Sequence, residues 1–280
     1  MDTLTLRPVV APRRAAPPAP PAPSRTVLGV RVDAPTYEEA TRHILAWARA
    51  GESRTVYATG AHGVVEAQDD AAFRAVLNAA DLNVPDGMSL VKALRELGLP
   101  EAGRVYGPDL TLHVCRAAAE AGVPVAFYGS TEVTLGLLRE RLTAQFPDLQ
   151  VVCTISPPFR SLTDAEDAAY TARLRDSGAG IVFVGLGCPR QERWCHAHRG
   201  RLPAVLLAVG AAFDFHAGTL AQAPAWVQRA GLEWAFRLAM EPRRLWRRYT
   251  RIVPRFMVGF AQQRRQERQG SFRRSLVERH

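Results

Sequence analysis

Long apolar runs are the first thing missing from this chain. No stretch approaches the roughly eighteen consecutive apolar residues that a membrane-crossing helix needs, and the longest, such as Ala204 to Gly210, have the length of buried strands. No transmembrane helix is expected. Cysteine is scarce, with 4 in 280 residues. Cys115, Cys153, Cys188 and Cys195 lie far apart, which suits reduced thiols better than a disulfide scaffold. Cys188, Cys195, His196 and His198 do cluster, but not at the paired-cysteine spacing of a zinc site. There is no Asp-x-Asp pair, and Asp164-x-Glu166 is accounted for as part of a helix cap. A divalent metal holding a diphosphate therefore lacks its usual ligands, and no metal or other cofactor is expected. Gly-x-Ser-x-Gly and Walker-type loops are absent too, which argues against hydrolase and P-loop chemistry. Residues 1–24 are rich in Pro and Ala but hold no continuous apolar core followed by a cleavage site. They read as a disordered tail rather than a signal peptide.

What is present is a globular composition, 47% hydrophobic and 22% charged, with a regular rhythm. Strand patterns at Thr26–Val32, Thr55–Thr59, Leu82–Val84, Pro124–Tyr128, Gln150–Ile155, Ile181–Val184 and Ala204–Val209 alternate with helical ones. Thr36-x-x-Glu39 and Thr163-x-x-Glu166 are capping boxes that open two of the helices. This alternation predicts an α/β fold, a Rossmann-like and mostly parallel sheet with helices on both faces, over residues 25–236. Beyond Pro224 the strands stop, and Trp226–Met240 and Leu245–Phe260 read as helices.

Charge is unevenly placed. Residues 237–280 carry thirteen arginines against Glu241, Glu267 and Glu278, so this segment holds +10 of a net +9 and the body is almost neutral. Within it Leu245, Trp246, Tyr249, Ile252, Val253, Phe256, Met257 and Phe260 share one side of a helix, and six arginines share the other, with Pro254 expected to kink it. A basic amphipathic helix with aromatic residues fits an anionic membrane surface. A helix docked on the body with a solvated basic face fits the same pattern, and an arginine tail could also bind nucleic acid.

Chemistry concentrates at the predicted strand ends. Val84-Pro85-Asp86-Gly87 sets a carboxylate on a stiff turn between strand and helix, where open α/β sheets bind ligands; Asp86 is either a working acid or the cap of the helix from Met88. Gly185-Leu186-Gly187 after a buried strand suits a diphosphate, because its amides can point at oxygen atoms. It lacks the third glycine of a dinucleotide fingerprint, so an NAD(P)-dependent oxidoreductase is the weaker alternative. Gly129-Ser130, Gln191, Glu192 and Asp214 add polar groups at successive strand ends, together forming a nucleotide-sized site.

Several segments, in order, resemble the WecG/TagA/CpsF glycosyltransferases: Thr59 to His62, Ala80-Asp81-Leu82 with Pro85-Asp86-Gly87, Gly107-Pro108-Asp109-Leu110, Val184 to Glu192, Val209-Gly210-x-x-Phe213-Asp214, Ala223-Pro224-x-Trp226, Gly231-Leu232-Glu233-Trp234 and Glu241-Pro242. The resemblance covers about residues 27–260. It implies an inverting, metal-independent transferase moving a sugar (N-acetylmannosamine, its uronic acid, glucose or similar) from a UDP-sugar to a polyprenyl-diphosphate-linked sugar. The setting would be the inner face of a bacterial membrane, in cell-surface polysaccharide synthesis, with homo-oligomers possible and no nucleic acid partner. By position Asp86 matches the general base and Thr59 an active-site polar residue. Gly129, Ser130, Gly185, Gly187, Gln191 and Asp214 fall around the nucleotide sugar. Arg237, Arg244, Arg247 and Arg248 fall in the basic C-terminal appendage, residues 237–280, which serves the acceptor diphosphate and the membrane. Ala61 stands where many members have Asn, which leaves sugar specificity open.

Overall fold

The computed structural model describes residues 22–224, 226–227 and 231–277; the side chains of Arg244 and of residues 270–277 lie outside the described residues, as do residues 1–21 of the expected tail. The chain opens with a hairpin, β1 (Ser24–Val27) and β2 (Val30–Asp33), where the sequence pattern suggests one strand. The reversal falls at Leu28 (φ 49°) and Gly29 (φ 79°). A leucine seldom adopts this left-handed backbone, and distant groups hold it there: the Leu28 N–H donates to Gln263 Oε1 at 2.8 Å and its carbonyl accepts from Gln68.

The body alternates as expected: α1 (Tyr37–Arg49), β3 (Arg54–Thr59), α2 (Ala61–Asp69), α3 (Ala71–Asn78), β4 (Leu82–Pro85), α4 (Met88–Glu96), α5 (Gly107–Ala121), β5 (Val125–Gly129), α6 (Glu132–Gln145), β6 (Val151–Ile155), α7 (Asp164–Asp176), β7 (Ile181–Gly185), α8 (Arg190–His198), β8 (Val205–Ala208) and α9 (Ala212–Ala217). Both capping boxes form, with Thr36 and Thr163 each accepting a backbone N–H at 3.2 Å and returning one to the glutamate. Asp70 ends α2 and caps α3, its Oδ1 accepting from the Phe73 N–H.

Six parallel strands pair in the order β4-β3-β8-β7-β5-β6. Alternate side chains sort to the two faces. Tyr57, Tyr128, Val182 and Leu206 pack against the hairpin, α2, α3, α4 and α8; Val56, Phe127, Phe183 and Leu207 pack against α1, α5, α6 and α9. The last strand in sequence, β8, fills the place between β3 and β7, so the carboxyl ends of strands from both halves of the chain meet at one edge.

Further along come α10 (Glu233–Met240) and α11 (Pro242–Val277); the latter runs on through Pro254. The apolar stripe of α11 divides. Leu245, Ile252 and Phe256 are buried on the body, whereas Trp246 (61% exposed) and Met257 (64%) face outward with Val253 and Val258. Docking is reinforced by Arg251 and Arg255, both paired with Asp69 at 2.6 Å. Gly259 leaves the hairpin turn its space, since a Cβ there would lie 3.2 Å from Leu28.

Truncating a buried phenylalanine typically costs about 3 kcal/mol, roughly a hundredfold in an opening equilibrium. Phe256→Ala should therefore raise amide hydrogen exchange along residues 242–269 by about that factor. Protection of β7 and β8 should stay unchanged. An equal loss in the sheet would mean that α11 and the body open as one unit.

Candidate active site

The register brings Thr59 opposite Pro85, Gly129 opposite Gly185 and Val184 opposite Ala208. Beyond these ends lies a cleft of about 910 Å³, lined by the strand-end loops, by α9 and by the start of the C-terminal helices. It contains Thr59, Asp86, Ser130, Gly185, Gly187, Gln191, Asp214, Arg237 and Arg248, which the chain supplies from segments far apart in sequence.

Asp86 is the most constrained of them. Its amide donates to the Thr59 carbonyl at 2.9 Å, continuing the β3–β4 ladder. It does not cap α4, whose N-cap, Gly87, receives no side-chain bond. Instead Oδ1 accepts the Gly107 N–H at 2.7 Å, at the first residue of α5, an amide with no partner inside its own helix. Gly107 has no room for a side chain: a Cβ would lie 3.0 Å from the Val209 carbonyl and 3.3 Å from Ala58 and from Asp86 Oδ1. Burial pushes the Asp86 carboxyl up to about 6, against the pull of Arg104, the Gly107 amide and Arg237; Glu233 pushes the same way as burial.

Arg104 reaches Asp86 from behind. Its Nε donates to the Asp86 carbonyl, its Nη2 donates to Glu233 Oε2 at 2.7 Å, and its guanidinium lies 3.8 Å from the centre of the Tyr106 ring. The Tyr106 hydroxyl donates to Glu233 Oε1 at 2.6 Å. None of these three residues stands out in the sequence as a site residue. Glu233 sits in the Gly231–Trp234 segment, but its partners lie 129 and 127 positions away, and nothing local announces them.

Thr59 is buried and its hydroxyl donates to Asn83 Oδ1; Asn83 in turn bonds Asp33 Oδ2 and the Arg31 carbonyl, both at 2.7 Å, so the hairpin steadies this strand end. Gln191 joins two loops, its Oε1 accepting the Gly187 N–H at 3.1 Å and the Gly210 N–H at 3.2 Å. The Gly187 amide is thus committed within the protein. Gly185 is glycine because a Cβ would lie 2.7 Å from the Phe213 ring, and Gly129 because one would lie 2.5 Å from the Gly185 carbonyl. These packing reasons account for both without a bound dinucleotide. Ser130 takes a left-handed φ of 58°, and Ser156 Oγ donates to its carbonyl at 2.8 Å. Asp214 accepts from the Thr219 N–H and hydroxyl.

A second carboxyl hides in the same cleft wall. Glu192 is 2% exposed, accepts from Gln191 Nε2 at 3.0 Å and has no hydrogen-bond partner for Oε2 among the described residues, and burial pushes it up to about 7. Arg237 leans toward the Phe215 ring, and its buried Nε has no partner among the described residues. Arg248 lines the cleft, Arg247 is exposed on α11 away from the lining, and the side chain of Arg244 lies outside the described residues. Among those residues no three His, Cys, Asp or Glu side chains converge as a metal site would require.

The arrangement is a desolvated acid beside guanidinium groups at the strand ends of a parallel sheet, a combination suited to removing a proton while an anion departs. Comparison with known proteins agrees in kind. The family model described as "Glycosyl transferase WecG/TagA/CpsF family" matches residues 25–270. The chain is 31% identical over 194 residues, 69% of its length and 73% of the relative's, to the N-acetylglucosaminyldiphosphoundecaprenol N-acetyl-beta-D-mannosaminyltransferase of Bacillus spizizenii. The chain belongs to the WecG/TagA/CpsF family of glycosyltransferases.

Proposed function

We propose that this protein transfers a sugar from a UDP-sugar to a sugar linked through diphosphate to a polyprenyl lipid, in the synthesis of a cell-surface polysaccharide. The observation that carries the reading is the Asp86 carboxyl, held at the strand-end cleft by one helix-terminal amide and lifted to about 6. In that state it takes the proton of the acceptor hydroxyl as the oxygen attacks the anomeric carbon. The bond to UDP breaks on the opposite face, and the anomeric configuration inverts. The departing diphosphate gains negative charge. Arg237 and Arg248, rather than a metal, supply the countercharge. Ser130, Gln191 and Asp214 border the donor end of the cleft. The name of the Bacillus relative makes N-acetylmannosamine the first donor to try and a diphosphate-linked N-acetylglucosamine the first acceptor.

A lipid-linked acceptor requires a route to the membrane. No described helix is long and apolar enough to cross one. The outward strip of Trp246, Val253, Met257 and Val258, beside the exposed Arg243 and Arg247, fits the interface of an anionic bilayer instead.

Two measurements test the reading. Transfer from UDP-N-acetylmannosamine to a short-chain polyprenyl diphosphate-N-acetylglucosamine should fall roughly 10²- to 10⁴-fold in Asp86→Asn. In the wild type kcat/KM should rise with pH through about 6, because the base works only when deprotonated. Normal transfer by a folded Asp86→Asn protein removes the base assignment. For the membrane, Trp246→Glu with Met257→Glu should abolish co-sedimentation with vesicles containing anionic lipid while leaving the melting temperature in place. Undiminished sedimentation of that variant would sink the lipid-facing role of the strip.

A further inference from the structure

Arg104, Tyr106 and Glu233 have no place in the chemistry above, yet they form the tightest polar cluster around its central carboxyl. Arg104 and Tyr106 belong to the connection between α4 and α5; Glu233 is the first residue of α10. The connection itself is pinned from the other side, since the Tyr106 N–H donates to the Tyr37 hydroxyl at 2.9 Å. Arg104 and Glu233 are both largely buried, 16% and 14% exposed in their side chains, so their pairing is shielded from solvent and salt. The other groups facing the Asp86 carboxyl are few. Arg237 comes from α10, the Gly107 amide from α5, and Gly60 from the β3–α2 connection without a charge; His62 on α2 is turned to Glu66 at 3.5 Å.

We infer that Arg104, Tyr106 and Glu233 are positioning residues through which the seating of α10 sets the proton affinity of Asp86. The inference rests on Asp86 being the general base. With α10 seated, Glu233 occupies one edge of the Arg104 guanidinium, and the Tyr106 ring covers its face. The cation is partly neutralised where it would otherwise favour ionised Asp86, and water is kept from the carboxyl. With α10 displaced, Arg104 loses its counter-ion and the carboxyl meets solvent. Both changes favour the ionised form; Arg237 leaves with the same helix and its loss acts the other way, but it weighs less on Asp86 than Glu233 does, so the net effect weakens the base. An unseated C-terminal segment therefore costs the enzyme more than the arginines it carries.

Opposite charges on the two partners give the test its sign. Full-length protein labelled with ¹³C at the aspartate carboxyl carbons is titrated by NMR, with the Asp86 signal assigned by its absence in Asp86→Asn. The wild-type midpoint should lie near 6. Glu233→Gln keeps the shape and the acceptor for Tyr106 but removes the negative charge, and should move the midpoint roughly one pH unit to the acid side. Arg104→Met removes the positive charge and should move it by a similar amount to the alkaline side. The acid limb of kcat/KM should follow both displacements. Midpoints that move in the same direction in two folded variants, or that do not move, overturn the relay. If Arg104→Met fails to fold, Glu233→Gln decides alone, an unchanged or more alkaline midpoint counting against the relay. Opposed midpoints in a protein that transfers no sugar from any UDP-sugar would uphold the relay and remove the transferase reading.

Discussion

A carboxyl half-withdrawn from water at the strand ends and held by one helix-terminal amide is the constraint on which the site's geometry depends. Leaving Asp86 wholly unpaired would cost free energy, and pairing it fully with arginine would lower its proton affinity. The fold meets both limits by geometry. β3 and β4 fix its backbone, and the first amide of α5 arrives at 2.7 Å. That approach is open only because residue 107 lacks a side chain, the space being filled by the Val209 carbonyl and Ala58. Three strand ends and a helix start must therefore meet within a few ångströms, which the sheet order achieves by placing β8, the last strand, beside β3.

What the sequence disclosed follows the range of the interactions involved. Capping boxes at Thr36 and Thr163, the helix break at Asp70 and the strand-turn-helix rhythm all rest on neighbours within four residues, so they are legible and they form. The location of Asp86 at a strand end was legible for the same reason. Its bonding was not, because a cap for the following helix and a partner for a helix 21 residues later look alike in one dimension. The hairpin was hidden by Leu28, a residue that turns only because Gln263 and Gln68 hold it. The Arg104–Glu233 pair had no local signal of any kind.

The C-terminal helix shows the same limit from another side. Periodicity assigned eight apolar residues to one side of α11, but a side about 140° wide at 100° per residue can meet two different surroundings. Leu245, Ile252 and Phe256 meet the body; Trp246, Val253 and Met257 do not. The basic side divides likewise, Arg251 and Arg255 being drawn onto Asp69 while Arg243 and Arg247 stay exposed. The sequence posed a docked helix and a membrane-surface helix as alternatives; the structure shows the docking of Leu245, Ile252 and Phe256 and leaves Trp246, Val253 and Met257 exposed.

The two raised carboxyls of the cleft show why burial alone does not make a base. Glu192 is buried where Asp86 is half-buried, and it too is lifted, to about 7, with the neutral amide of Gln191 as a partner and no arginine opposing the lift. Near neutral pH it is held by its packing and by the two loops that Gln191 joins. At Asp86, Arg104 and Arg237 pull against burial, while Glu233 tempers that pull. The result is a carboxyl ionised at neutral pH that still holds a proton more firmly than one in water. Such a group can remove the proton of a sugar hydroxyl and later release it, so the charges around each carboxyl, more than its depth, set the chemistry it is suited to.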